Sequence, residues 1–300
     1  MPPRILVIGE ALIDVVRRAD GSVEEIPGGS PANVAITLGR LGRSPHLLTA
    51  LGSDDHGRQL SDWLAESDVV ATHVEIPRTP TATAELDAVG SATYVFDIEW
   101  SLADAAVEPA SLIHIGSIAA LLEPGASDML RILDERRDTA LVTYDPNIRP
   151  LLVSDWTDAR QRVEALVARA DVVKASDEDL HWLYPRRHPY QTARAWRASG
   201  PAVVVVTEGA GGAFAVADAG EVGVPGRPVD IVDTVGAGDT FMGALIDGLI
   251  ATSSSDGSAR ANLHTMTKSS LTSILDWAAR AAAVTVSRRG ANPPRRDEIA

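Results

Sequence analysis

At 300 residues, with 45% hydrophobic and 23% charged residues, the chain has the composition of a soluble globular protein that buries a substantial core. Its 27 Lys+Arg against 41 Asp+Glu give a net charge of −14, which argues against a general nucleic-acid binder, whose face must be basic. There is no cysteine, so disulfides and thiolate metal sites are excluded, and no apolar run reaches the about 18 residues of a membrane span.

Ile5 to Ile8 reads as a buried strand, followed directly by Gly9-Glu10-Ala11-Leu12-Ile13-Asp14. Ile13 to Ile26 and Thr81 to Ile98 carry period-two alternation, with Tyr94, Phe96 and Ile98 set against Val95 and Asp97. They predict a small antiparallel sheet, a lid or pairing surface, formed by about residues 12–27 and 74–104 within one domain spanning 1–300. Between its two parts lies Gly28-Gly29-Ser30-Pro31-Ala32-Asn33-Val34-Ala35. The glycines allow close backbone approach, and Asn33 offers donors and acceptors near a helix start. Asp14 and Asn33 together suit a polyol, although a turn at Gly28-Gly29 and a cap at Asn33 account for the same residues.

Leu112 to Ile115, Ala140 to Tyr144, Val172 to Lys174 and Val203 to Thr207 read as further buried strands, with helices over Asp128 to Arg137 and Asp155 to Ala170. In the second helix Ala159, Val163, Leu166, Val167 and Ala170 share one face. This alternation implies βαβ units in a mostly parallel sheet with helices on both faces, whose ligands sit beyond the carboxyl ends of the strands. A β-branched approach, Val229 to Val232, then enters Asp233-Thr234-Val235-Gly236-Ala237-Gly238-Asp239-Thr240-Phe241. Phe241, Ala244, Leu245, Gly248 and Leu249 predict a helix with one apolar face. Small residues at its start leave outward amides, an anion site. Asp239 would repel a resting phosphate, so its place there suggests a base, with helix capping as the alternative. Ala251 to Ser273, rich in Ser and Thr, reads as a polar excursion before the last helix.

Taken in order, these motifs resemble the PfkB family of carbohydrate kinases, the ribokinase-like family, in its fructokinase-type branch. Gly52 to Gly57, His114 to Ser117, Asp145 to Pro150, Lys174 to Asp179, Thr207 to Gly212 and Ser287 to Pro294 follow the same pattern along essentially the whole chain. The resemblance implies a ribokinase-like α/β fold with a β lid and an ATP-dependent kinase acting on a primary hydroxyl of a sugar. It makes Asp239 the general base, with the amides of Gly236, Ala237 and Gly238 as an anion hole. Asp14, Gly28, Gly29, Asn33, Asp145, Asn147 and Arg149 would hold the sugar, and Lys174, Ser176, Thr207, Gly209, Gly212 and Thr234 the nucleotide. Asp179 and Glu178 would hold Mg2+, directly or through water. Asp233 and Val235, with carbonyls around Thr285, Arg288 and Gly290, would hold the K+ that many members use.

Fructokinase-like and 2-keto-3-deoxygluconate kinase-like members often carry an aromatic-arginine pair in the lid; Tyr94 to Trp100 has no arginine, so an acidic sugar would lose its guanidinium partner and a neutral sugar, fructose first, is expected. A ribokinase, a 2-keto-3-deoxygluconate kinase, a nucleoside kinase and a non-catalytic sugar or nucleotide sensor are the alternatives. The expected setting is cytoplasmic, with sugar and ATP as partners, neither nucleic acid nor membrane, and a homodimer joined through the lids.

Overall fold

Strands rich in apolar residues and buried along their length need helices above and below them. The computed structural model describes residues 4–87, 92–103, 105–252 and 259–299. In chain order the elements are β1 (Ile5–Ile8), β2 (Leu12–Arg17), β3 (Val23–Gly28), α1 (Ser30–Arg40), β4 (His46–Leu51), α2 (Asp55–Ala65), β5 (Val70–Glu75), β6 (Thr81–Leu86) and β7 (Ala92–Asp97). There follow β8 (Leu112–Gly116), α3 (Gly125–Arg136), β9 (Leu141–Asp145), α4 (Trp156–Val167), β10 (Val172–Ser176), α5 (Asp177–Leu183), α6 (Pro189–Ser199) and β11 (Val203–Thr207). The last are β12 (Gly212–Ala217), β13 (Gly220–Pro225), α7 (Ala237–Thr252), α8 (Ala259–Thr265) and α9 (Lys268–Val286).

The large sheet has the order β13-β12-β11-β10-β9-β8-β1-β4-β5. Every pairing from β11 to β5 is parallel, and β12 and β13 close one edge antiparallel. Apolar side chains of α1, α2, α7 and α9 fill one face, and those of α3, α4, α5 and α6 the other. Chain order reverses at β1, which pairs with β4 on one side and β8 on the other. A crevice beyond the carboxyl ends of strands at such a reversal is where open α/β sheets take their ligands.

The second sheet has the order β3-β2-β6-β7, two antiparallel hairpins joined by a parallel β2–β6 pairing. Ile13 and Val15 turn into the main core, while Tyr94 and Val95 on the edge strand β7 are both about half exposed. Of the expected lid segment, β5 belongs to the large sheet and Trp100 and Leu102 to its core. Residues 88–91 and 104 of that segment lie outside the described residues.

Two expectations change. The helix after Gly238 does not show one apolar face: every residue from Asp239 to Leu249 is buried. It passes between α1 and α9 on the sheet, and its inward Asp247 is answered by Arg43 and Arg296, each at 2.6 Å. The polar stretch 251–273 is largely helical, as α8 and the start of α9, because Thr267 caps α9 by accepting from the Ser270 amide. Residues 253–258 of that stretch lie outside the described residues. The approach Val229 to Val232 joins no sheet and is exposed. No described helix is long and apolar enough to cross a membrane.

Candidate active site

The paired glycines at the end of β3 bring the start of α1 against the end of β1. Gly29 has φ 102°, and a Cβ there would stand 2.6 Å from the Glu10 carbonyl oxygen, so no side chain fits. Ser30 and Asn33 are three apart on one helix face and both reach Asp239. Ser30 Oγ donates to Asp239 Oδ1 at 2.6 Å, and Asn33 Nδ2 donates to Oδ2 at 2.8 Å. Asn147 Nδ2, from the loop after β9, donates to Oδ1 at 3.3 Å. Asp239 is only 6% exposed, and its carboxylate lies in the first turn of α7, where the helix dipole favours negative charge. Three donors from two distant segments orient it, which is far more than a cap requires.

Ser30 was absent from the expected site, although its spacing from Asn33 next to two glycines carried the signal. Asn33 serves the base rather than standing free for a sugar, and its Oδ1 is buried without a partner. At Gly236, φ is 74° and a Cβ would meet Ala291 Cβ at 2.6 Å, so glycine alone gives this turn into α7. The amide of Ala237 turns back to the Thr234 carbonyl at 3.3 Å.

Toward the small sheet stand two carboxyls. Asp14 lies on β2 beside Gly28, where a Cβ would come within 2.4 Å of Asp14 Oδ2, so glycine leaves the carboxylate its room. Burial pushes Asp14 up to about 6, against the opposing charge of Arg149. Glu10, which the expected site also omitted, follows β1 at the chain reversal and is 3% exposed. Its Oε2 accepts from the Ala119 amide at 3.1 Å. Burial pushes Glu10 up to about 7, opposed by the Ser117 hydroxyl, two amides and Arg149.

Between the ordinary value of 4.5 and about 7, the folded chain keeps a proton on Glu10 that the unfolded chain has released. The stability contributed by Glu10 is therefore full at low pH and is lost as pH rises through that window. Glu10→Gln should flatten the decline between about pH 5 and pH 8, and at pH 8 gain on the order of 2 kcal/mol. Urea denaturation at each pH reads this out, and a variant less stable than wild type at pH 8 counts against it.

On the nucleotide side, several expected residues prove to be structural. Ser176 Oγ accepts from the Asp179 amide at 3.0 Å, while Asp179 Oδ2 accepts from the Ser176 amide at 3.1 Å and from its hydroxyl at 2.7 Å. This reciprocal cap starts α5. Asp179 Oδ1 accepts from the Ile148 amide at 2.8 Å, which ties the Asn147 loop to α5. Asp179 is 8% exposed with both oxygens engaged in this cap and loop contact, whatever part it takes toward magnesium through water. Glu178, at the exposed second position of α5, stays available. Among the described residues no group of three His, Asp or Glu forms a metal cluster. At Gly212 a Cβ would lie 2.2 Å from the Val224 carbonyl oxygen, so this glycine serves the β12–β13 hairpin. Gly209, with φ 52° and open space around it, follows two residues after Thr207, the last residue of β11.

Asp145 also departs from its expected sugar contact. It is 1% exposed and pairs with Lys174 Nζ at 2.9 Å under the start of α7. Arg149 donates to Asn147 Oδ1 at 2.6 Å, which steadies the loop whose Asn147 reaches the base. Asp233 Oδ1 accepts from the Val235 amide at 3.0 Å and Oδ2 from the Gly290 amide at 2.9 Å. The two segments expected to share a monovalent cation, 233–235 and 285–290, are thus held side by side.

The sequence profile of the pfkB family carbohydrate kinase matches residues 2–298. A fructokinase of Klebsiella pneumoniae is 33% identical over 264 residues, covering 84% of this chain and 86% of that protein. The crystal structure of a fructokinase double mutant from Vibrio cholerae O395, in a form with fructose, ADP and potassium ion bound, superposes with a TM-score of 0.82 at 26% identity, covering 97% of this chain and 94% of the other. Aminoimidazole riboside kinase from Salmonella enterica, complexed with aminoimidazole riboside and an ATP analogue, gives 0.81 at 26% identity, covering 96% and 95%.

Proposed function

The chain belongs to the pfkB family of carbohydrate kinases, and we propose that it transfers the γ-phosphate of ATP to a primary hydroxyl of a neutral sugar, with fructose as the first candidate. The observation that carries this is Asp239, buried at the start of α7 and aimed by Ser30, Asn33 and Asn147. In this reading Asp239 takes the proton of the attacking hydroxyl, and the amides of Gly236 and Gly238 face the charge on the transferred group, while that of Ala237 is held by the Thr234 carbonyl. Asp14 accepts from sugar hydroxyls, with Gly28 and Gly29 at van der Waals distance and Arg149 behind it. Thr207, Gly209 and Thr234 line the nucleotide. Two carboxyls against one arginine make the acceptor end unfavourable for an acidic sugar. In the lid, Asp97 is already paired with Arg78 at 3.2 Å. A coupled ADP-release assay across ketoses, pentoses and ribosides tests the proposal, and no turnover with any of them overturns it. A riboside 5′-hydroxyl is the second reading, supported by the Salmonella enterica relative.

Magnesium enters as part of the nucleotide substrate and supplies charge neutralisation between phosphates, with Glu178 placed to hold it through water. A monovalent cation would be held by Asp233 and the carbonyls of Val235, Thr285, Arg288 and Gly290, adding fixed positive charge beside Gly236. Equal kcat in potassium and lithium salts would remove this site. The ATP requirement suits a cytoplasmic setting. The uncovered edge strand β7, with Tyr94 and Phe96 stacked at 6.1 Å, supports a homodimer paired lid to lid. Its expected mass is that of two chains, and a monomer at micromolar concentration overturns it.

A further inference from the structure

Glu10 takes no part in the proposed chemistry, yet it stands where three parts of the fold meet. Two residues on, at Leu12, the chain enters β2 and with it the small sheet that carries Asp14. The Glu10 carbonyl oxygen packs on Gly29, just before α1, whose Ser30 and Asn33 reach the base. Its side chain holds the turn after β8: Oε2 accepts from the Ala119 amide at 3.1 Å, and the Ser117 hydroxyl donates to the same carboxyl. That turn is strained. Ser117 has φ 58° and ψ −152°, a region that L side chains rarely enter and that persists only where the surroundings over-determine it. Here the Asp145 carbonyl, 3.0 Å from the Ser117 amide, and the Glu10 carboxyl do so. On its other side the turn holds the return of the small sheet. The Ala119 carbonyl accepts from Trp100 Nε1 at 3.0 Å, and Trp100 lies three residues beyond β7 and is 2% exposed. The Trp100 carbonyl accepts from the Gly125 amide at 3.0 Å, and a Cβ on Gly125 would stand 2.3 Å from the Trp100 ring, so glycine lets the ring seat there. The first strand of the small sheet thus leaves the core at Glu10, its last strand re-enters at Trp100, and Ala119 joins the two points.

We infer that Glu10 is a positioning residue for the sugar: through the turn 117–120 and Trp100 it fixes the small sheet over the acceptor end of the site. The inference rests on the kinase reading above and deepens it by naming what holds Asp14 and its sheet in place. Glu10 touches no reacting atom. A carboxyl suits the task because it accepts from an amide and a hydroxyl at once, and bonds to an ionised acceptor are about twice as strong as neutral ones. An interaction that places the bound sugar, without touching the phosphoryl step, shows itself in KM rather than in kcat.

The test is a double-mutant cycle on the sugar KM with Glu10→Ala and Trp100→Phe, and Glu10→Gln as the conservative control. Glu10→Ala should raise the sugar KM by about 10-fold and Trp100→Phe by about 3- to 10-fold, the losses expected for one buried hydrogen bond, with kcat and the ATP KM within about twofold. Glu10→Gln keeps an acceptor for the Ala119 amide and should stay within about threefold of wild type. Because both residues act through one turn, the double variant should be no worse than the poorer single one, although their side chains share no bond. Trp100→Phe keeps an aromatic ring against Gly125 and loses the bond to Ala119, so it tests the same link where Glu10→Ala does not fold. Hydrogen exchange of the β7 amides, measured without any substrate, should run about 3- to 10-fold faster in Glu10→Ala and Trp100→Phe and not in Glu10→Gln. An unchanged sugar KM, additive effects in the double variant, a glutamine variant as poor as the alanine one, or unmoved β7 exchange overturns the inference. The exchange readout needs no acceptor, so failure of the wild type to phosphorylate any sugar overturns the kinase reading separately.

Discussion

Asp239→Asn should lower kcat by roughly 10²- to 10⁴-fold, the span commonly carried by one general base, and leave the fold intact. The second half follows from the hydrogen bonds. Asparagine keeps one acceptor oxygen and places an NH2 where the other oxygen stood. If the NH2 faces Asn33, that side chain can turn over and present Oδ1, which is buried without a partner in the wild type. If it faces Ser30, the hydroxyl can rotate and accept. The second arrangement sets the NH2 against the Asn147 donor, so the first is preferred; it leaves no buried donor opposed, and the thermal midpoint should hardly move. Circular dichroism melting and a sugar-dependent ADP assay measure both halves. Near-normal kcat in a folded variant removes Asp239 from the base role, whereas a collapse of stability with kcat would make it a structural cap.

How much of this could be read from residues alone varies with the physics of each element. The strands were legible because a parallel sheet covered on both sides demands short apolar runs, which β1 and β11 supply almost unbroken and β8, β9 and β10 supply in their first residues. The start of α7 was legible because two glycines two apart leave little choice of backbone. The interior of α7 was not: apolar spacing at i, i+3 and i+4 is the same whether the remaining positions face water or α1 and α9. Ser30 escaped notice because its partner lies 209 residues away, and a serine at a helix start is ordinary without that partner. Asp179 is ambiguous for the converse reason. An acidic residue three after Ser176 fits a cap and a metal ligand equally, and only the Ile148 amide on its second oxygen decides between them.

Asp14→Asn should weaken sugar binding and stabilise the protein at the same time. In the fold, burial lifts the Asp14 carboxyl from 3.8 to about 6, so above about pH 6 the ionised group destabilises the free enzyme. By proton counting, the folded chain holds the extra proton between those values, and the stability it contributes is lost as pH rises through them. Asparagine removes that cost, worth about 1 kcal/mol for a partly solvated group at pH 7.5, and should raise Tm by a few degrees. In the proposed function the same ionised oxygen accepts hydrogen bonds from sugar hydroxyls, so its loss should raise the sugar KM by about 10- to 100-fold, with kcat at saturation changed much less. A second signature separates this from a general loosening of the lid. In wild type, kcat/KM for the sugar should fall on acidification below about pH 6 as Asp14 takes up its proton, and that limb should vanish in the variant. An unchanged KM places Asp14 outside the sugar contact, and a kcat loss as deep as that of Asp239→Asn assigns it to the chemical step instead.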